Sequence, residues 1–177
     1  CKYIVDPVLV APIRQFVRAF AAPDPLAAAC PDSRYQVCSL YLDTSALHFY
    51  RQYVSGERSR FKLRARTYSD DPDAPVFLEV KWRVNRLVFK HRAVVSREEA
   101  RDVLEGRAGR VTAPRPAGSQ RGLDAFTTDR ALTAARPVVR VKYRREAYVS
   151  AGPVPARVTF DTDAQFQPTF GATLWHG

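Results

Sequence analysis

The sequence predicts an α+β fold, an antiparallel β-barrel with flanking helices, and two observations predict it. Several stretches alternate polar and apolar residues at the period of a strand, and the connections between them are too short for parallel crossovers. One of them, residues 58–66, sets Arg58, Arg60, Lys62, Arg64 and Arg66 on one face and Phe61, Leu63 and Ala65 on the other. Closing the sheet removes its exposed edges and turns such a face inward as a wet, positive lumen. Burying that many like charges without a counter-ion would cost far more than a domain's margin of about 5–15 kcal/mol. An anion, or water, belongs in that space.

Along the chain, residues 2–5 read as a short opening strand. Asp6 and Pro7 give a helix start, and Val10, Ile13, Phe16, Val17 and Phe20 recur at helical spacing until Pro23 and Pro25 end it. An Ala-rich connection leads to Pro31. Residues 35–43 form a strand with Cys38, Leu40 and Leu42 toward the core and Val37, Ser39, Tyr41 and Asp43 opposite. Thr44 and Ser45 cap a short helix running to Val54.

After the cationic strand, the acidic turn 69–75 leads to a strand at 76–83. It sets Glu79, Lys81 and Arg83 against Leu78, Val80 and Trp82. Asn85 turns the chain, and residues 86–95 return as a hairpin with Arg86, Val88, Lys90 and Arg92 on one side. Ser96 with Glu98 and Glu99 opens a helix to Leu104, since acids suit a helix N-terminus. Residues 105–122 read as a loop and 123–135 as a helix. A strand follows at 138–145, which 147–150 extend or pair back on. Residues 156–161 are the last clear strand, beyond which the pattern dissolves.

The length of 177 residues fits one domain over 1–177. Twenty-eight Lys and Arg against 18 Asp and Glu give a net charge of +10. That balance attracts nucleic acid, anionic membrane or phosphorylated small molecules without choosing among them. Arg outnumbers Lys on the cationic strand, and its planar fork matches phosphate oxygens. Phe61 and Trp82 fall on apolar faces, so no stacking platform for nucleic acid is expected.

Cys1, Cys30 and Cys38 are odd in number and lack C-x-x-C spacing, which argues against a disulfide framework or zinc site and for a reducing cytosol. His48, His91 and His176 form no metal-ligand pattern, and His48 and His91 read as surface or packing. Cys38 reads as core, and Asp43 and Asp161 as structural caps before site residues. There is no Gly-rich phosphate loop and no nucleophile motif, so phosphate chemistry must rest on side chains. No apolar run reaches the roughly 18 residues of a membrane span. The absence of Met and the start at Cys1 lead us to expect a piece of a longer chain.

The motifs K-Y near the start, S-L-Y-L-D-T, K-L-R-A-R-T-Y, F-L-E-V-K, K-x-R, Y-x-R and R-V-T-F-D-T follow one another from Lys2 to Asp161. In this order they resemble the VTC domain, the catalytic domain of vacuolar transporter chaperone-type polyphosphate polymerases and their bacterial relatives. These belong to the triphosphate tunnel metalloenzymes of the CYTH-like superfamily.

The resemblance implies an eight-stranded tunnel in which the terminal phosphate of ATP, or another nucleoside triphosphate, passes to a growing polyphosphate chain with Mn2+ or Mg2+. It implies Lys2 as a tunnel lysine, Arg64 and Arg66 as the phosphate-gripping R-x-R pair, and Lys81 and Lys90 as the hairpin lysines with Arg92 beside them. Arg64, Arg66, Lys81 and Lys90 would then be the catalytic set. Tyr143, Arg145 and Arg157 are implied as further phosphate contacts, and Arg60 and Lys62 share the cationic face.

Alternation agrees for Arg64, Arg66, Lys81, Lys90 and Arg157. At 138–145 it leaves two inward sets open, Tyr143 with Arg145 after a bulge, or Arg140, Lys142 and Arg144. The late metal-binding Glu of the family has no match after Asp161, so the closing strand is expected to lie outside this stretch or to be degraded. Glu79, the acid on the Arg-lined face, is either a metal contact or a carboxylate paired with Arg64 or Lys81. Implied partners are the nucleotide and polyphosphate, without nucleic acid, and with a membrane only through other parts of the parent chain. The implied location is the cytoplasm or the cytoplasmic face of a membrane. The rival functions are an inorganic triphosphatase and a non-catalytic polyphosphate-binding module.

Overall fold

The computed structural model describes residues 2–107 and 114–174. Its first helix starts where the sequence predicts. α1 (Pro7–Arg18) places a proline in its first turn, where the missing N–H is tolerated, and the Val8 amide donates to the Asp6 carboxylate at 3.0 Å. Residues 2–5 ahead of it are irregular and exposed rather than a strand. A strand exists only by pairing, and none of the described strands pairs there, so Lys2 is not held on a sheet.

The predicted Ala-rich connection contains two short elements, β1 (Ala21–Pro23) and α2 (Pro25–Ala28). Buried Asp24 caps α2 by accepting the Ala27 amide at 2.8 Å. The C-terminal part of the chain gives β6 (Arg136–Ser150), one strand of 15 residues rather than two pieces. β7 (Arg157–Pro168) runs on past the predicted end at 161. Its residues are mostly exposed on both faces, so no hydrophobic alternation marks its second half; pairing with β6 sustains it.

The chain divides into two compact units, Cys1–Gln36 with Tyr143–Ala164, and Val37–Lys142 with Gln165–Gly177. In the first, β1 pairs antiparallel with β6, Pro23 opposite Tyr148 and Ala21 opposite Ser150. α1 is anchored here through its cations. Arg14 Nε donates to both Glu146 oxygens at 2.8 and 2.9 Å, and Arg18 Nε to the Tyr148 hydroxyl at 3.0 Å.

The second unit holds most of β2 (Tyr35–Asp43), α3 (His48–Val54), β3 (Ser59–Thr67), β4 (Val76–Val84) and β5 (Leu87–Val95), followed by α4 (Arg97–Glu105) and α5 (Ala117–Thr133). β2 to β5 form an antiparallel ladder within a sheet ordered β1-β6-β2-β3-β4-β5, with β7 on β6. The α+β class and the antiparallel pairing are as expected. Asn85 makes the β4–β5 turn at φ 55°, a conformation Asn tolerates. α3 starts later than predicted, at His48, and its principal cap is Asp43, whose carboxylate accepts the Phe49 and Tyr50 amides at 2.9 Å each. Thr44 contributes as predicted, its hydroxyl accepting the His48 amide.

α4 opens on the expected acidic turn, with Ser96 and Glu99 bonded reciprocally. α5 begins inside the stretch read as a loop; residues 108–113 of that stretch lie outside the described ones. Glycine and serine there lower helix propensity, yet the helix forms because Leu123 and Phe126 bury themselves against the sheet. The core joins Leu40, Leu63, Ala65, Leu78 and Val80 of the sheet to Ala100, Val103, Leu123 and Phe126 of the two helices. Among the described residues no helix is long and apolar enough to cross a membrane.

Candidate functional site

The ladder converts the one-dimensional alternation of β3 into a two-dimensional charge pattern. On the face away from the core four rows cross the strands, and ahead of the three described next runs one of Ser39, Arg66, Phe77 and Val94. Tyr41, Arg64, Glu79 and Arg92 stand opposite one another from β2 to β5. Lys62, Lys81 and Lys90 form the second row, and Arg60, Arg83 and Val88 the third. Successive rows lie two residues apart, roughly 7 Å along the strands. Like charges opposite one another in a ladder are destabilising, so the lysine row marks a surface suited to an anion. The predicted cations that fall within β3 to β5, Arg60, Lys62, Arg64, Arg66, Lys81, Arg83, Lys90 and Arg92, share this face, whereas Arg58 and Arg86 fall outside the strands.

The first row is held by ion pairs. Arg64 Nε donates to Glu79 Oε2 at 2.5 Å, and Arg92 donates through Nε and Nη2 to Glu79 Oε1 at 2.9 and 2.5 Å. Burial pushes the Glu79 carboxyl up, but the charge and hydrogen bonds of Arg64 and then Arg92 outweigh it and hold it below the usual carboxylate range. The Tyr41 hydroxyl lies 3.5 Å from Arg64 Nη1. Burial raises this phenol too, and the neighbouring Arg64, Arg66 and Lys62 bring it net below its ordinary value. Arg66 is buried and donates from Nε to Ser39 Oγ at 2.9 Å. Lys62 Nζ sits 4.0 Å from the centre of the Tyr53 ring, with the Arg60 guanidinium 5.4 Å from the same ring. Neither Tyr41 nor Tyr53 was singled out for the site from the sequence. Tyr41 shares the parity of the polar face of β2, a signal present but not decisive; Tyr53 had none.

Glu79 is therefore a paired carboxylate, held by Arg64 and Arg92. The fit to a divalent metal is poor, because both of its oxygens are occupied by guanidinium groups. Among the described residues no three His, Cys, Asp or Glu side chains come together as a metal site would need.

In the other unit the implied phosphate contacts are also engaged. Arg145 grips Asp161 through two parallel bonds of 2.7 Å, which hold its own ionisation above the ordinary arginine value, and the Tyr143 ring lies 5.2 Å from its guanidinium. Arg157 donates to Asp24 Oδ2 at 2.5 Å and to the Tyr35 hydroxyl at 3.3 Å. Asp161 is thus an ion-pair acceptor, whereas Asp43 is the cap it was expected to be. Of the alternative set on β6, Arg144 pairs with Asp32, Lys142 lies 3.9 Å from Asp70, and buried Arg140 donates to Gln167 Oε1 at 2.5 Å. Lys2 is exposed. His91 stacks edge-on against Trp82, as a packing residue does, and His176 lies outside the described residues.

Compared with known proteins, the chain matches the VTC domain family over residues 1–177. Among solved structures it is similar to a crystal structure of a putative adenylate cyclase from Bacillus halodurans. The identity is 11%, 92% of this chain and 78% of that chain are covered, and the TM-score is 0.48. No curated protein matches the sequence.

Proposed function

Because the chain belongs to the VTC domain family, whose chemistry is that of polyphosphate and triphosphate, we propose that it transfers the terminal phosphate of ATP to a growing polyphosphate chain. The observation that supports this reading is the lysine row of Lys62, Lys81 and Lys90 beside the Arg64–Glu79–Arg92 row on one face. In such a transfer a terminal oxygen of polyphosphate attacks the γ-phosphorus, the bond to the β-phosphate oxygen breaks, and ADP leaves. Charge stays mainly on phosphate oxygens, so positioned cations can supply the catalysis without a protein nucleophile.

Arg64 and Arg66 would grip the triphosphate. Lys81 and Lys90 would neutralise the transferring group, with Arg60, Lys62 and Arg92 extending the contact surface. Lys2, Tyr143, Arg145 and Arg157 are proposed as further phosphate contacts on family resemblance. Tunnel enzymes of this family typically use a divalent metal, Mn2+ or Mg2+. The described residues do not build its site, and no step is assigned to it.

One observation favours a second reading, a module that binds polyphosphate without turnover: the acid nearest the cations is fully engaged by two guanidiniums. Incubating the chain with ATP and Mn2+ and running the products on a polyphosphate-stained gel separates the readings. A ladder that disappears in Arg64→Ala supports the polymerase. Orthophosphate without a ladder means a triphosphatase, and tight triphosphate binding with neither product means a binding module.

A further inference from the structure

We propose that Glu79 is a positioning residue, whose carboxylate braces Arg64 and Arg92 so that both guanidiniums present their outer N–H groups to phosphate oxygens. The proposal rests on the reading of this face as a phosphate site and assigns a task to the acid that stands between two of its arginines.

The register sets Glu79 between the two arginines, one strand to either side, so a single carboxylate reaches both. It divides its oxygens cleanly. Oε2 takes Arg64 Nε, and Oε1 takes Nε and Nη2 of Arg92. The Nε–H of each arginine, the group nearest its backbone, is thereby fixed, and one outer nitrogen of each is left without a hydrogen bond among the described residues. These are Arg64 Nη2 and Arg92 Nη1, and the Phe77 ring lies 5.2 Å from the Arg92 guanidinium. Glu79 is buried while the Arg92 side chain remains 53% exposed, so the brace is inside and its cation outside.

Long arginine side chains lose rotamer freedom when a ligand orders them. A brace that orders them beforehand removes that loss from binding. It also spaces two like charges, which would otherwise repel across β4. The cost is one unit of negative charge in a site for anions.

That cost makes the proposal testable by sign. If Glu79 were only a charge near the site, Glu79→Gln would remove repulsion and tighten anion binding. A brace predicts the reverse, because the amide accepts on one side only and turns its NH2 toward a guanidinium. We expect Glu79→Gln to weaken tripolyphosphate binding about tenfold, measured by calorimetry in EDTA, the size of one lost charge-assisted contact. In 15N–1H spectra of the wild type, the Arg64 and Arg92 Nε–H groups should be protected from exchange, and at least one should lose that protection in the variant.

Arg92→Lys, a change at a half-exposed position, serves where Glu79→Gln fails to fold. Lysine keeps the charge but cannot fork, so affinity should fall by a similar factor. Equal or tighter binding by either folded variant overturns the proposal. So does unprotected Nε–H in the wild type, a readout that needs no ligand. A Glu79→Gln protein that binds normally in EDTA, but loses an affinity gain given by Mn2+, would make Glu79 a metal ligand and also overturn it. Should the wild type fail to bind tripolyphosphate, the phosphate reading of this face falls, while the exchange measurement still judges the brace.

Discussion

Gly122 fixes the distance between α5 and the strand that carries Arg92. A Cβ at this position would meet the Arg92 carbonyl oxygen at 2.2 Å, its carbon at 2.3 Å and the Ala93 nitrogen at 2.7 Å, where ordinary contact begins near 3.4 Å. The obstacle is backbone, so no rotamer change relieves it. Helix or strand must withdraw by more than an ångström. Overpacking of this kind costs about 1–3 kcal/mol, and a rigid partner places it at the upper end. Alanine returns about 1 kcal/mol through helix propensity. Gly122→Ala should therefore lower stability by about 2 kcal/mol net, a drop in thermal midpoint of about 4–8 °C for a chain of this size. Urea unfolding followed by circular dichroism, with the slope compared to the wild type, measures it. Because the strand moves at Arg92 itself, tripolyphosphate affinity should fall as well. A variant as stable as the wild type, or more so, would refute the reasoning, since propensity would then outweigh a contact that is supposed to be closed.

Three further outcomes follow from the site and its supports. Lys81→Ala should weaken tripolyphosphate binding and reduce the log–log salt slope by about one ion, since one fewer phosphate contact releases one fewer counter-ion; titrations at several salt concentrations read both. Asp43→Ala strips the acceptor from the Phe49 and Tyr50 amides and should cost about 1–3 kcal/mol, with Asp43→Asn recovering part of it in the same urea assay. Acid should act through Glu79. Its folded pKa is lowered, so its stabilisation is present above the unfolded value near 4.3 and is lost as pH falls through the lowered folded value. The stability gap between wild type and Glu79→Gln should thus be open at pH 7 and narrow below about pH 4; a gap that stays constant with pH would count against the ion pairs.

Elements whose two faces differ were legible in the sequence. Residues 35–43 show their strand because Cys38, Leu40 and Leu42 alternate with the more polar Ser39, Tyr41 and Asp43 in the sequence, and the structure places β2 over the same residues, mostly buried on both faces. α4 was legible through its cap, a local interaction that needs no partner elsewhere. Residues 2–5 have the β-branched and aromatic composition of a strand, yet a strand is completed by a neighbour, and sequence names no neighbour. The second half of β7 failed in the opposite direction. Its faces are both exposed, so pairing exists without the alternation that would announce it.

The site was legible to the same depth. Alternation finds every cation of β3 and β4, because period two is a property of one strand alone. Which side chains stand opposite one another is a property of two strands, and a slip of one residue would change each pair. The register sets Lys62 against Lys81 and Arg64 against Glu79, so neighbouring rows differ in kind, one of like charges and one of compensated charges. From the sequence Glu79 could be a metal contact or a salt bridge, because its neighbours on β3 and β5 were unknown. Once both flanking residues are arginines, the two oxygens are spent on guanidiniums. A slip of one residue between β4 and β5 would set Glu79 opposite His91 or Ala93 and break the Arg92 pair, so register, more than composition, distinguishes a braced site from a charged surface.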